Sequence, residues 1–235
     1  MTVLILTLAA GGLALATALL LFPPRPLLAT AAALNPEVLF YVDTDTRAVA
    51  LTFDDGPHPE LTPRILDLLD AHGAKATFFV IGEKVPGNEA LLARMSAAGH
   101  ELANHMDADQ PSAVLPAAEF ARQLSRVDAL IRPADGEKWF RPGSGWFHGR
   151  MLRQLDEHGY RLSLGSIYPH DTLLPSARFA ARFILKRLFA GGVIILHEGR
   201  SDRMRTLRVL ERILPAIKSR GFAILTLSEL TALEN

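Results

Sequence analysis

The 235-residue chain has no cysteine. That excludes a disulfide framework, thiol catalysis and thiolate metal sites, so any metal must be held by histidine or carboxylate. It also lacks an excess of either charge. Lys+Arg and Asp+Glu stand at 25 each, and this balance gives no electrostatic case for a nucleic-acid partner. No Gly-rich phosphate loop follows the first apolar strand, which leaves a nucleotide fold little support. The Gly-x-Ser-x-Gly nucleophile elbow is missing as well, and without a thiol this argues against a covalent acyl-enzyme.

Charge is absent altogether from Thr2 to Phe22. The run is long enough to cross a bilayer, and Pro23-Pro24-Arg25-Pro26 ends it. Residues 1–22 therefore read as an uncleaved transmembrane anchor or as a secretory signal peptide. Small-residue cleavage patterns stand at Ala16-Thr17-Ala18 and Ala31-Ala32-Ala33. The basic residues that usually precede such a run are missing, and the nearest fixed positive charge, Arg25, follows it, so the positive-inside rule does not support export of the body. Residues 23–46 read as a linker and residues 47–235 as one domain, enough chain for a sizeable core.

From Ala48 onward, short apolar runs alternate with helical patterns. Strands are predicted over 48–53, 76–81, 101–104, 139–141, 161–168, 192–196 and 222–227. Helices are predicted over 63–72, 89–98, 116–132, 149–158, 176–189 and 201–220, with Thr62 and Ser176 as N-caps and Gly73, Gly99, Gly159 and Gly221 as stops. Seven strands with helices between them argue an α/β fold on a parallel sheet, either a barrel or an open doubly wound sheet.

Unusual polar residues fall at the C-terminal ends of these strands, where α/β barrels collect their active sites. Asp54 and Asp55 end the first strand, His105 the third, Arg141 the fourth and His197 the sixth. Two adjacent acids at the end of a buried strand need compensation, and a metal and a cation are the obvious compensators. Asp55 and His105 suit Zn²⁺ or a similar ion. In His105-Met106-Asp107-Ala108-Asp109 the ends are four residues apart, so a helical turn puts His105 and Asp109 on one side, able to share that ion. A metal with three protein ligands and an open position activates water. Asp54 then suits a base, Arg141 suits a partner that keeps it ionised, and His197 suits an acid for a leaving amine.

These residues sit in motifs that resemble the polysaccharide deacetylase family, the NodB-homology domain of chitin and peptidoglycan deacetylases. Thr52-Phe53-Asp54-Asp55-Gly56-Pro57 matches its first motif. Gly99-His100-Glu101-Leu102-Ala103-Asn104-His105 is similar to the second, Phe140-Arg141-Pro142 to the third and Ile195-Leu196-His197 to the fifth. The resemblance implies a distorted seven-stranded (β/α) barrel and metal-dependent removal of N-acetyl groups from an N-acetylglucosamine-containing glycan. By it, Asp54 is the general base, His197 the general acid and Arg141 the residue that orients Asp54. Asp55 and His105 are metal ligands, a backbone N–H near Ser144 is the oxyanion donor, and Asp171 is a partner for His197. The expected cofactor is a divalent metal, Zn²⁺ first and Co²⁺ or another ion next. The expected location is extracytoplasmic, secreted or membrane-anchored.

Two departures stand out. The family pattern His-x-x-x-His here reads His105 to Asp109, giving an Asp-His-Asp metal set. The third motif runs Arg141-Pro142-Gly143-Ser144-Gly145-Trp146 in place of Arg-Pro-Pro-Tyr, a more flexible loop. Trp146 and Phe147 read equally as a sugar-stacking wall or as core. Two further functions remain open from sequence: a glycan-binding module on the same barrel, and hydrolysis of another non-peptide carbon–nitrogen bond.

Overall fold

The computed structural model describes residues 22–131, 137–174 and 176–235. The segment read as signal or anchor thus lies outside the described residues, apart from Phe22. Among the described residues no helix is long and apolar enough to cross a membrane. The chain divides into two compact units, Met1–Pro36 and Glu37–Asn235. In the first, helix α1 (Arg25–Leu34) occupies ground read from sequence as linker, with proline in its first turn, where no N–H is needed.

The second unit opens with strand β1 (Val38–Leu39), also inside the expected linker. Seven strands follow: β2 (Ala48–Gly56), β3 (Thr77–Val80), β4 (Glu101–Asn104), β5 (Lys138–Phe140), β6 (Tyr160–Ser163), β7 (Gly192–His197) and β8 (Ala223–Leu225). The seven expected strands are all present, and β1 makes eight among the described residues. Their order is β1-β6-β5-β4-β3-β2-β7, with β8 also on β2, and every ladder is parallel. The segment after β6 crosses to β7, where Ser166 N and Ile167 N donate to Val193 O at 3.0 and 2.9 Å. The two ends of the sheet meet there, as in a distorted barrel.

The crossovers carry helices α2 (Leu61–Ala71), α3 (Glu89–Ala97), α4 (Ala117–Ile131), α5 (Gly149–Glu157), α6 (Ala177–Arg187) and α7 (Arg205–Ser219), and α8 (Leu227–Thr231) follows β8. Thr62, expected as a cap, lies inside α2. His58 does that work instead, its Nδ1 accepting from Glu60 N and Leu61 N at 3.2 Å each. His72 and His158 fall at helix C-caps, as their positions before glycine imply.

Strand β2 is covered on both faces, as a parallel strand between layers must be. Val49, Leu51 and Phe53 pack into the helix-side core with Leu61, Ile65, Leu69, Leu210 and Ile213. Ala48 and Ala50 face the other way, against Phe79, Ala103 and Trp139. Period-two alternation then puts Thr52 and Asp54 on that same enclosed face. Because the ladders are parallel, the ends of β2, β4, β5 and β7 all open at one rim.

Candidate active site

Asp54 is 3% exposed. Its Oδ1 accepts from Arg141 Nη1 at 2.6 Å. Arg141 is held in turn: Nε donates to Ser163 O at 2.9 Å, Nη1 to Thr52 Oγ1 at 2.8 Å, and the guanidinium lies 4.0 Å over the Phe79 ring. Charge-assisted bonds of this kind fix direction as well as charge. Asp54 Oδ2 faces His197 Nε2 across 3.9 Å. His197 is anchored on its far side by Asp171, which takes the ring Nδ1 at 2.9 Å and the backbone N at 3.0 Å. Asp171 is 2% exposed, and Arg205 donates to its carbonyl at 2.7 Å. Burial alone lowers the His197 pKa, but Asp171 first, then Asp54 and Asp55, more than reverse this and raise it.

Asp55 leaves the strand alternation through a left-handed backbone, φ 70°, a region in which Asp is tolerated better than most residues. Its carboxylate thereby reaches the same rim. Oδ1 lies 3.4 Å from His105 Nε2, and Oδ2 lies 3.3 Å from Arg203 Nη1. His105 Nδ1 meets Arg141 O at 2.7 Å. A ring that donates there turns Nε2 toward Asp55, where it carries a proton in the ion-free pair and would offer its lone pair to a bound ion. Burial pushes the Asp55 pKa up, and the His105 hydrogen bond and the charges of His105, His197 and Arg203 outweigh it, holding the carboxyl well below its usual range. His105 responds in kind: burial opposes its charge, and Asp55 and Asp54 raise its pKa.

The Asp55–His105 pair fits a divalent ion. Two ligands at about 2.1 Å in a tetrahedral arrangement stand about 3.4 Å apart, the spacing found here. The expected third ligand does not join them. Residues 105–110 form no helical turn, because Met106 takes a left-handed φ of 71° and turns the chain. Asp109 is half exposed and lies 3.7 Å from Lys84 Nζ, while Lys84 donates to the Asp55 carbonyl at 3.0 Å. Asp107 turns inward to Arg126 at 3.1 Å. Among the described residues no three His, Asp or Glu side chains are grouped as a metal site.

Ser144 also has a left-handed backbone, φ 67°, in the turn Gly143–Gly145. The amides flanking it are engaged, Gly143 N with Ser112 Oγ at 3.1 Å and Gly145 N with Pro142 O at 3.1 Å. Trp146 is 72% exposed, so the core reading of that ring falls. Phe147 instead packs, partly buried, against the cluster around Phe120 and Phe140.

Glu198, Arg203 and Lys84 escaped the sequence reading, and Thr62 entered it only as a helix cap. Glu198 is fully buried and takes the Thr62 hydroxyl at 2.5 Å. Burial pushes its pKa up to about 8, aided by the Asp55 charge and opposed by the Thr62 hydrogen bond and by Lys84. The fit there is close. A Cβ on Gly56 would lie 1.9 Å from Glu198 Oε1, and one on Gly199, at φ 83°, would lie 1.8 Å from the Asp55 carbonyl oxygen. A carboxylate directly after His197 was a usable signal for Glu198. Nothing in Arg200-Ser201-Asp202-Arg203 marks which cation turns inward.

Known proteins resemble this chain in sequence and fold. The family model described as polysaccharide deacetylase matches residues 41–163. A peptidoglycan-N-acetylglucosamine deacetylase from Bacillus cereus is 34% identical over 82% of this chain and 92% of its own length. The crystal structure of the Bc1960 peptidoglycan N-acetylglucosamine deacetylase, bound to 4-naphthalen-1-yl-N-oxidanyl-benzamide, superposes with a TM-score of 0.80 at 28% identity, covering 87% of this chain and 98% of that one. A family 4 acetyl xylan esterase from Clostridium thermocellum, solved with a cobalt ion, gives 0.73 at 32% identity, over 79% of this chain and 91% of the other.

Proposed function

The chain belongs to the polysaccharide deacetylase family, and from that premise we propose that it removes N-acetyl groups from an N-acetylglucosamine-containing glycan, releasing acetate and leaving a free amine. The substrate class covers chitin, chitooligosaccharide and peptidoglycan. The observation that carries this reading is the two-sided setting of Asp54, with Oδ1 bound by Arg141 and Oδ2 turned toward His197.

In this mechanism the acetamide sits between Asp54 and His197. Asp54 Oδ2 takes a proton from water as the water oxygen attacks the acetyl carbon. Arg141 keeps Oδ1 occupied, so only one oxygen of the base faces the reaction. The backbone N–H of Ser144 faces the negative charge that gathers on the carbonyl oxygen. His197, charged and held by Asp171, then delivers its Nε2 proton to the nitrogen as the carbon–nitrogen bond breaks. Asp55 and His105 would hold a divalent ion, Zn²⁺ or Co²⁺, which supplies Lewis acidity toward the acetyl carbonyl. Trp146, exposed at the rim, offers a face for a sugar ring. Residues 1–22, as anchor or signal, are the proposed route out of the cytoplasm to the glycan, against the charge bias that Arg25 sets.

Purified residues 37–235, given divalent metal, should release acetate from chitin oligomers or peptidoglycan, and Asp54→Asn should lower the rate by about 10²–10⁴-fold. Absence of release from any glycan across several metals would sink the proposal. A second reading, a glycan-binding module, is favoured by one observation, the separation of Asp109 from Asp55 and His105. Saturable glycan binding without acetate release, with no metal in the purified protein, would select it.

A further inference from the structure

Arg203 has no part in the mechanism above, yet its guanidinium is almost buried and faces Asp55 Oδ2 at 3.3 Å. The approach is close in charge but not a formed hydrogen bond: Arg203 Nη1 has no hydrogen-bond partner among the described residues. Asp55 thus meets His105 on one oxygen and a fixed cation on the other. With Asp54 matched by Arg141, the two aspartates and two arginines already balance to zero charge before any ion arrives. Lys84 adds a further cation on the Asp55 carbonyl and draws Asp109 outward. A divalent ion entering between Asp55 and His105 would face this guanidinium across a single carboxylate in a poorly hydrated pocket, where repulsion is weakly screened.

We infer that Arg203 is a resident counter-cation of Asp55, one that a divalent ion must displace. This rests on the ion-binding part of the proposed function and adds that this chain's own cation limits ion affinity. Arg203 is a positioning residue here: it acts through Asp55 and touches no substrate. Its stem is buried where the turn Ser201–Met204 leads into α7, and Arg203→Gln keeps the first methylenes of that stem while removing the charge.

The test is calorimetric titration of Zn²⁺, and separately Co²⁺, into metal-free full chain, wild type against Arg203→Gln, with no substrate present. The expected result is Kd at least about tenfold lower in R203Q, with a lower melting temperature for its metal-free form. A merely structural role would loosen the ion, so affinity equal to or weaker than wild type overturns the inference, as does no binding in either protein. A second measurement needs no variant. Labelling of Arg203 by phenylglyoxal, read by peptide mass, should accelerate when wild type is saturated with the ion. Unchanged labelling at saturation also overturns it. Because both readouts omit glycan, a protein that behaves this way yet releases no acetate would refute the deacetylase reading and leave this one standing.

Discussion

Asp54 Oδ1 and Arg141 Nη1 lie 2.6 Å apart, with both side chains nearly sealed from solvent. Each charge there depends on the other, since removing one partner of a buried pair strands the second. Arg141→Met should therefore lower the unfolding free energy by about 3–5 kcal/mol, measured by urea denaturation. It should abolish acetate release as well, because Asp54 loses both charge balance and direction. A loss of activity with unchanged stability would show that the pair is not the buried one described.

His197 owes its raised pKa to Asp171 more than to any other group, against the opposing effect of burial. As an acid it must be protonated, so activity falls as pH rises through that pKa. Asp171→Asn should move the basic limb of kcat/KM to lower pH and reduce kcat. A basic limb left in place would assign it to another group.

Glu198 makes stability depend on pH. Its folded pKa, pushed up to about 8 mainly by burial, exceeds the ordinary value of 4.5. The folded state therefore keeps a proton that the unfolded chain gives up. That contribution is full below 4.5 and is lost as pH climbs through about 8. Melting temperature should fall across this window, and Glu198→Gln, neutral at every pH, should flatten the fall. An equally steep decline in the variant would remove Glu198 as its source.

Asp109 and His105 should separate cleanly in ion binding. His105→Ala takes away a nitrogen aimed at Asp55 and should reduce divalent-ion affinity by about a hundredfold. Asp109→Ala removes an outward carboxylate already engaged by Lys84 and should change affinity by less than about threefold. Equilibrium dialysis against Zn²⁺ reads both. Equal losses would mean that Asp109 reaches the ion after all.

Much of this site could be read before any coordinates, for a physical reason. A parallel strand covered on both faces must be apolar along its length, so Asp54 and Asp55 at the end of Ala48–Phe53 are conspicuous, and the same holds for His197 after Gly192–Leu196. Strand β1 was missed because two residues are too few to show a period. Asp109 stands four residues after His105, but Met106 reverses the backbone between them, which spacing alone does not reveal. Arg203 and Glu198 gain their meaning from β2 and β7 lying side by side, a long-range fact that local pattern does not carry.

That adjacency has a wider consequence. Asp54 is in register with His197, and Glu198 N donates to Asp54 O at 2.9 Å. The proposed base and acid, far apart along the chain, are thus neighbours on the hydrogen-bonded ladder that joins β2 to β7. Their separation is set by interstrand spacing and not by any loop. Crossovers that carry no site residue can lengthen or shorten without altering that spacing. Heating should extinguish catalysis only as the sheet itself comes apart, so thermal inactivation and global unfolding should coincide on one curve.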